Sequence, residues 1–288
     1  MTSSTTPSAT LAIDIGATKA EVALVSRAGG LTSRRRVEVA SDANDLFGRI
    51  VVAVRELRQH ADVDVCGVGC AGPMTNDGEL VSPLNIPQWR DFDLAERLRQ
   101  ATGLAVAVDG DVRALALAEG VFGSAQGVKN YASLVVSTGV GGAVVLDGRL
   151  LNGATGNSGH LGHLTVLPGG AQCSCGAKGC LEAEASGWAI AQRTGRPPAE
   201  ASLEVREATA RYVGQAIGSL AAVLDFTHCF VAGSVALGFG DPFFATATAT
   251  AREYATMPYA NTISITRSGL GADGPLLGAA IVGWERAR

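Results

Sequence analysis

The stretch Asp14-Ile15-Gly16-Ala17-Thr18-Lys19 follows the first predicted strand, and Ser137-Thr138-Gly139-Val140-Gly141-Gly142 follows the corresponding strand in the second half of the chain. Glycine-rich turns suit phosphate because backbone N–H groups can converge on oxygen anions where no Cβ intervenes. Thr18, Lys19 and Thr138 add hydroxyl and ammonium donors. Either stretch alone is also compatible with an ordinary hairpin. Their matched positions favour two phosphate-binding turns.

The hydrophobic pattern around these turns repeats in the two halves. Each half reads as three strands, a helix, a strand, a helix, a strand and a helix. In the first half we predict strands at 11–15, 20–26, 32–39, 63–68 and 104–108, and helices at 41–60, 91–102 and 112–122. In the second half we predict strands at 131–137, 142–146, 149–152, 228–232 and 262–266, and helices at 203–225, 241–256 and 275–286. The pattern predicts an α/β protein of two similar lobes that hold one ligand between their turns.

Composition narrows the classes of partner. The chain has 288 residues, 23 Lys+Arg against 27 Asp+Glu, a formal net charge of -4 and 47% hydrophobic residues. With no basic stripe beyond 34–36, nucleic acid is not expected as a partner. The N-terminal residues lack an apolar leader, and no stretch of eighteen apolar residues follows. We therefore expect a soluble, cytoplasmic protein without a membrane partner.

Residues 67–72 spell G-x-G-x-x-G after a predicted strand, which is the dinucleotide-binding pattern. The context does not fit, because a dinucleotide-binding turn must open a helix. Here Pro73 and a polar run follow instead. We interpret the stretch as a strand end that approaches a small ligand.

One segment interrupts the repeat, at about 153–198, and carries a cluster of metal-binding residue types. His163, Cys173, Cys175 and Cys180 give four nitrogen and sulfur ligands within eighteen residues. Disulfides are the alternative for cysteines, but the chain is long and shows no export signal. Four protein ligands fill a tetrahedral site, so the sequence predicts structural zinc with no position left for water.

Asp109-Gly110-Asp111 lies where a predicted strand gives way to a helix. Open α/β sheets place their ligands at such carboxyl ends. Either aspartate could simply cap the helix. A carboxylate at a helix N-terminus also stays ionised, which suits a proton acceptor for a hydroxyl. Both interpretations are open from the residues alone.

The chain resembles the sugar kinases of the ROK (repressor, open reading frame, kinase) family over nearly its whole length. The motifs that carry the resemblance are Asp14-x-Gly16-x-Thr18-Lys19, Ala71-Gly72-Pro73, Pro83-x-Asn85-Ile86-Pro87-x-x-Trp89, the 137–142 stretch, Gly162-His163, Cys173-x-Cys175-Gly176-x-x-Gly179-Cys180-x-Glu182 and Gly233-Ser234. The resemblance implies the two-lobed ribonuclease H-like or actin-like ATPase fold, with the zinc-bearing insertion. It also implies a kinase that uses ATP and Mg²⁺ to phosphorylate a hexose.

The resemblance further implies roles for individual residues. Asp111 would be the general base that accepts the proton of the sugar 6-hydroxyl, and Asp14 would help to hold Mg²⁺. The nucleotide would contact Gly16, Thr18, Lys19, Thr138, Gly139 and Gly141 at its phosphates and Gly233 and Ser234 at its adenosine. The sugar would contact Gly72, Asn85, Asp111, His160, His163 and Glu182. His163 would bind zinc through one ring nitrogen and a sugar hydroxyl through the other.

Three residues depart from the usual family pattern. Ala17 replaces a glycine, Gly110 stands where most members have Asn, and His160 stands where glucokinases have Glu. The form His160-Leu161-Gly162-His163 resembles bacterial N-acetylmannosamine kinases, and an imidazole can donate a hydrogen bond where a carboxylate only accepts. The sequence thus predicts N-acetylmannosamine as the substrate. Glucose is the alternative, and a non-catalytic sugar sensor is a further one.

The resemblance also suggests how the chain is divided and assembled. We expect a small N-terminal lobe from 1–111 with the C-terminal helix at about 275–288. The large lobe would be 112–274 and would include the insertion. Members of the family are often dimeric, so a homodimer is expected.

Overall fold

The structure is a computed structural model that describes residues 9–16, 18–39, 42–59, 61–75, 78–84 and 86–287. Ala17 and Asn85, both singled out in the sequence, lie outside the described residues. The chain forms two compact units. Unit 1 comprises Met1–Ala118, Asn152–Asn157 and Ala272–Arg288, and unit 2 comprises Glu119–Leu151 and Ser158–Gly271.

Ten strands and nine α-helices make up the described part of the chain. The strands are β1 (Thr10–Ile15), β2 (Lys19–Val25), β3 (Leu31–Glu38), β4 (Val65–Cys70), β5 (Ala105–Gly110), β6 (Tyr131–Val136), β7 (Val140–Leu146), β8 (Arg149–Leu150), β9 (His228–Ala232) and β10 (Ser264–Arg267). The helices are α1 (Ala43–Arg58), α2 (Leu94–Thr102), α3 (Asp111–Phe122), α4 (Leu181–Ala185), α5 (Gly187–Thr194), α6 (Leu203–Leu224), α7 (Ser234–Phe239), α8 (Asp241–Tyr254) and α9 (Gly274–Arg286).

Each unit contains one five-stranded sheet, and the two sheets have the same topology. The orders are β3-β2-β1-β4-β5 in unit 1 and β8-β7-β6-β9-β10 in unit 2. In unit 1 the first three strands are antiparallel neighbours, and β4 and β5 join parallel to β1. Unit 2 repeats this pairing with β6 in the place of β1. The structural repeat and the α/β fold class predicted from the sequence are confirmed.

The predicted apolar stripe of α1 packs into the core of unit 1. Leu46, Ile50, Val54 and Leu57 have no exposed surface. The helix is capped by Asp42, whose side chain accepts hydrogen bonds from two backbone N–H groups of the first turn. The stripe therefore predicts both the helix and the side that it buries.

Close packing of α9 explains the glycine pattern at 67–72. A Cβ on Gly67 would lie 1.8 Å from the carbonyl oxygen of Ala279 and 2.5 Å from the backbone nitrogen of Gly283. The first glycine of the pattern thus lets α9 contact β4 directly. β4 ends at Cys70, and the next helix among the described residues begins at Leu94, so no helix opens behind the turn. The rejection of a dinucleotide-binding turn is confirmed.

The structure differs from the predicted elements at one junction and in three short helices. β5 continues to Gly110 and α3 begins at Asp111, so no loop separates them. Helices α4, α5 and α7 were not predicted, because segments of five, eight and six residues are too short to show a clear periodic pattern. No helix within the described ranges is long and apolar enough to span a lipid bilayer.

Candidate active site

The predicted acidic residues of unit 1 lie at one edge of its sheet. Asp14 pairs in register with Gly69 of β4, and Gly69 pairs with Asp109 of β5. Asp111 follows two residues later as the first residue of α3. A Cβ placed on Gly69 would lie 3.6 Å from Oδ1 of Asp14 and 3.5 Å from Cα of Asp111. The carboxyl ends of three parallel strands therefore bring Asp14 and Asp111 to either side of one glycine.

The pKa values of both carboxyl groups are raised. Burial and the negative charges of Asp111 and Glu21 together raise the pKa of Asp14 to about 7, against the opposing positive charges of Lys19 and Arg34. Burial also raises the pKa of Asp111, although the backbone N–H of Val112 opposes the shift by donating to its Oδ1 at 2.8 Å. Two like charges in a desolvated place favour a bound cation, which would restore the ionised form of both.

The first glycine-rich turn is closed by its backbone, because the N–H of Gly16 donates to the carbonyl of Lys19 at 2.9 Å. Thr18 is exposed in this turn. The Lys19 ammonium lies 2.7 Å from Glu21, which also binds Arg34 at 2.8 Å. The predicted phosphate ligand Lys19 is thus already part of an ion-pair cluster on β2 and β3.

The remaining predicted residue of unit 1 is Gly72, which follows β4 by two residues and is partly buried. The peptide bond between Gly72 and Pro73 is cis. Beyond this bond, Asn157 holds the backbone of Met74 through hydrogen bonds in both directions, at 3.0 and 2.8 Å. The chain segment after β4 is therefore fixed within unit 1.

Asp109 binds an arginine that the sequence analysis missed. The Asp109 side chain is 2% exposed, and its Oδ1 accepts hydrogen bonds from the Gly110 N–H at 2.7 Å and from Nε of Arg113 at 2.6 Å. Asp109 is consequently not a cap of α3, which begins two residues later. The sequence shows the spacing of four residues between Asp109 and Arg113. This spacing is typical of an ion pair on the exposed face of a helix, so it did not indicate a buried contact.

The second glycine-rich turn joins β6 to β7 in unit 2, and its exposed residues include Thr138 and Gly139. Two neighbouring segments hold it. The carbonyls of Ser137 and Thr138 accept the N–H groups of Gly187 and Trp188 at 2.7 and 3.1 Å, and the Ser137 hydroxyl lies 3.1 Å from that of Ser234. The turn and the N-termini of α5 and α7 thus converge at one place.

Gly233 and Ser234, predicted near the adenosine, connect β9 to α7. Gly233 has a φ of 103°, and Ser234 is exposed. Gly141 is partly buried at the start of β7. All the predicted nucleotide-contacting residues of unit 2 therefore border the turn at 137–142.

The four predicted metal ligands come together in unit 2. Their ligand atoms all lie within 4.8 Å of one another. Sγ of Cys173 is 3.6 Å from Nδ1 of His163, and Sγ of Cys175 is 3.7 Å from Sγ of Cys180. Tetrahedral zinc with Zn–S of about 2.3 Å and Zn–N of about 2.0 Å requires separations of about 3.5 to 3.8 Å. These two pairs therefore have the spacing of a tetrahedral zinc site, and all four ligand atoms lie close enough to surround one ion.

A buried carboxylate supports the loop that presents this cluster. Glu184 is 4% exposed, and its Oε1 accepts the N–H of Ala171 at 2.7 Å. Burial and the neighbouring thiols raise the pKa of Cys180 to about 12. Zinc binding at neutral pH would therefore displace a proton from this cysteine.

His160, His163 and Glu182 lie beside the cluster and the turn. The rings of His160 and His163 are 6.0 Å apart and inclined by only 21°. Glu182 accepts the N–H of Val140 at 3.1 Å through Oε2. The contact of His163 with Cys173 through Nδ1 leaves Nε2 on the opposite side of the ring. One continuous surface of unit 2 thus links the metal cluster to the glycine-rich turn.

Residues 10–285 match the sequence profile of the ROK family. The chain is 34% identical to an N-acetylmannosamine kinase of Citrobacter koseri, in an alignment that covers 80% of this chain and 85% of that enzyme. It is 35% identical to a glucokinase of Thermotoga maritima over 62% of this chain, but the alignment spans only 58% of the length of that enzyme.

Among solved structures, the fold is similar to that of a ROK family glucokinase from Streptomyces griseus in complex with glucose and AMPPNP. The TM-score is 0.85 at 27% sequence identity, and the superposition covers 96% of this chain and 99% of the other. The agreement over the full length supports the fold derived from the strand order.

Proposed function

The chain belongs to the ROK family, and from that premise we propose that it is an ATP-dependent sugar kinase that converts N-acetylmannosamine to N-acetylmannosamine 6-phosphate. The observation that carries the kinase activity is the partly buried Asp111 at the start of α3, next to Asp14. The solved relative that holds glucose and an ATP analogue supports a sugar and ATP as the two classes of substrate.

Asp111 acts as the general base in this proposal. Its carboxylate accepts the proton of the sugar 6-hydroxyl while that oxygen forms a bond to the γ-phosphorus of ATP and the bond to the β–γ bridging oxygen breaks, which releases ADP. Burial keeps the pKa of Asp111 above its ordinary value, which strengthens the carboxylate as a base. The Val112 N–H holds one carboxylate oxygen and leaves the other for the hydroxyl.

Mg²⁺ fits the acidic edge of unit 1, where burial and like charge disfavour two ionised carboxylates without a cation. Asp14 would hold it, and the ion would supply charge neutralisation at the phosphates. The phosphates would lie against the two glycine-rich turns through Gly16, Thr18, Lys19, Thr138, Gly139 and Gly141, and the adenosine against Gly233 and Ser234. Because Lys19 is paired with Glu21, its role includes keeping that carboxylate neutralised.

Zinc fits the cluster of His163, Cys173, Cys175 and Cys180 and would supply structural order there. Because Nδ1 of His163 faces Cys173 in the cluster, Nε2 on the other side of the ring would be available to donate to a sugar hydroxyl. Gly72, Asn85, His160 and Glu182 complete the proposed sugar contacts, with Asn85 outside the described residues. Glu182 would contact both the sugar and the turn that holds the phosphates.

His160 is the observation that favours N-acetylmannosamine. It is exposed one helical turn before His163, with the two rings nearly parallel. An imidazole N–H can donate to the carbonyl of an N-acetyl group, whereas the glutamate of glucokinases can only accept. The alignment with the N-acetylmannosamine kinase also covers more of both chains than the alignment with the glucokinase.

Glucose is the second candidate substrate, supported by the 35% identity to the Thermotoga maritima glucokinase. Initial rates of ADP release with N-acetylmannosamine, glucose, N-acetylglucosamine and mannose decide between the two. We expect the highest kcat/KM for N-acetylmannosamine and a loss of that preference in His160→Glu. A higher kcat/KM for glucose would contradict the proposed substrate. Sugar binding without ADP release would instead identify a sensor.

We also propose that the protein is a homodimer, as the family resemblance implies. Light scattering coupled to size-exclusion chromatography tests this with the intact chain. A mass near twice 29.3 kDa supports the dimer, and a mass near 29.3 kDa contradicts it.

A further inference from the structure

A buried charged cluster surrounds the junction of β5 and α3 in unit 1. Asp109 is bonded through Oδ1 to Nε of Arg113 at 2.6 Å, and Nη1 of Arg286 lies 2.6 Å from Oδ2 as an ion pair. Arg113 is itself only 5% exposed, and its guanidinium also donates to the side chain of Asn152. The guanidinium of Arg113 is therefore fixed at two nitrogens: Nε binds a carboxylate, and Nη2 binds the oxygen of an amide.

The stem of Arg113 fills the space where residue 110 would carry a side chain. A Cβ on Gly110 would lie 3.0 Å from Cδ and 3.3 Å from Cγ of Arg113. The stem has little freedom to move away, because its guanidinium is held at Asp109 and Asn152. The glycine and the arginine thus depend on each other.

We propose that Arg113 is a positioning residue for Asp111 and that Gly110 and Arg113 form one coupled pair. The hydrogen bonds of Asp109 to the Gly110 N–H and to Arg113 fix the backbone on both sides of Asp111. Asp111 is the first residue of α3 and lies between these two held residues, Gly110 and Arg113. The proposal rests on the proposed function, since it concerns the placement of the general base.

The coupling has a consequence for the sugar. Position 110 offers no side-chain group to a bound sugar, and Arg113 occupies the space that a larger side chain would need. The pair therefore gives up a possible sugar contact at this position in favour of a rigid support of the base.

A double-mutant cycle tests the coupling. Gly110→Ala adds only a methyl group, and Gly110 has no positive φ that would strain an alanine. We expect this variant to lose about tenfold in kcat, because small displacements of a reacting group are costly. In the Arg113→Ala background the same methyl group should change kcat by less than about twofold. Gly48→Ala is the matched control, because a Cβ there meets nothing within 4 Å, and its kcat should not change.

The variant Arg113→Lys tests whether Arg113 positions Asp111 or only stabilises the fold. It also tests the proposal if the Arg113→Ala variant does not fold. Lysine keeps the charge but cannot reach Asp109 and Asn152 with a planar fork. We expect kcat to fall about tenfold while KM for ATP and for the sugar stays within about twofold. Arg49→Lys, at an exposed ion pair with Asp45, is the matched control and should have the kcat of the unmodified protein.

Two results would overturn the proposal: an equal effect of Gly110→Ala in both backgrounds, or an Arg113→Lys variant with unchanged kcat. The same double-mutant cycle is also measured with the Tm values of the four proteins, which do not depend on enzyme activity. If the unmodified chain phosphorylates no sugar, the proposed function fails, while the Tm cycle still reports whether Gly110 and Arg113 are coupled. Additive Tm changes with an active kinase would instead refute the coupling alone.

Discussion

The sheet edges of the two units share one topology and carry opposite chemistry. In unit 1 the ends of β1 and β5 lead to carboxylates, Asp14 and Asp111, while in unit 2 the ends of β6 and β9 lead to hydroxyls, Ser137 and Ser234. Carboxylates hold cations and accept protons, whereas hydroxyls and turn N–H groups hold anions. The repeated backbone thus provides two equivalent sheet edges. Their side chains decide whether an edge suits the binding of a cation and the acceptance of a proton or the binding of phosphate.

The supports of the two edges differ as well. The turn of unit 2 is held by Glu182, which follows the last predicted zinc ligand in helix α4, and by the N-terminus of α5. The edge of unit 1 is held by Arg113 and by Arg286 at the end of α9. Damage to the cluster should therefore affect unit 2 first, and damage to the arginines should affect unit 1.

Removing the base from the acidic edge should have the largest effect. We expect Asp111→Asn to lower kcat by about a thousandfold or more, because general base catalysis is lost while the shape is kept. The sugar Kd from calorimetry should change by only a few-fold. Asp45→Asn, on the exposed side of α1, is the control. An Asp111→Asn variant with the kcat of the unmodified protein would show that the acidic edge is not the site of proton transfer.

Removing the metal cluster tests the support of the other edge. The double variant Cys175→Ser, Cys180→Ser should contain no zinc by elemental analysis and should lose about tenfold to a hundredfold in kcat/KM for the sugar. Ser174→Ala, an exposed change in the same loop, should retain about one zinc per chain. Full metal content in the double variant would contradict the ligand set.

Changing the pH should affect the two edges differently, because the raised carboxyl pKa values among the described residues belong to Asp14 and Asp111 at the acidic edge. Since burial raises the pKa of Asp14 from 3.8 to about 7, its proton must leave before Mg²⁺ binds. Mg²⁺ affinity should therefore rise about tenfold between about pH 6 and pH 8. Titrations followed by calorimetry check this. In Asp14→Asn the rise should be absent, and an equal rise in that variant would assign the titration to another group.

The same shift has a definite sign for stability in the absence of metal. Native Asp14 keeps its proton between about pH 4 and pH 7, whereas the unfolded chain has lost it. The contribution of Asp14 to the free energy of unfolding should consequently fall as the pH rises through this range. Urea titrations of the unmodified protein and Asp14→Asn should show the difference, and added Mg²⁺ should reverse the fall.

The smallest effect is expected at the hydroxyl edge. Ser137→Ala removes a hydrogen bond of 3.1 Å to Ser234 from an exposed pair, which contributes about 1 kcal/mol. KM for ATP should rise about two- to fivefold with little change in KM for the sugar. Ser219→Ala, on the exposed side of α6, is the control. A larger rise in KM for the sugar would show that this edge does not serve the nucleotide.

The sequence predicted what depends on local pattern. The stripe of α1, the order of strands and helices along the chain and the four ligands of the metal cluster all follow from patterns within short segments. The contacts of Asp109 with Arg113 and Arg286, which support Asp111, could not be predicted in the same way. They depend on the direct junction of β5 with α3 and on Arg286, which α9 brings from the far end of the chain. The substrate is equally beyond local pattern, because in the proposed site it depends on which sugar groups contact His160 and His163.

In the proposed mechanism Asp111 receives the proton of the sugar 6-hydroxyl. A crystal structure of the protein with N-acetylmannosamine and a non-hydrolysable ATP analogue would show whether the two groups meet. We expect the 6-oxygen at about 2.6 to 3.2 Å from a carboxylate oxygen of Asp111. A 6-oxygen outside hydrogen-bond distance of Asp111, and in contact with a different base, would contradict it.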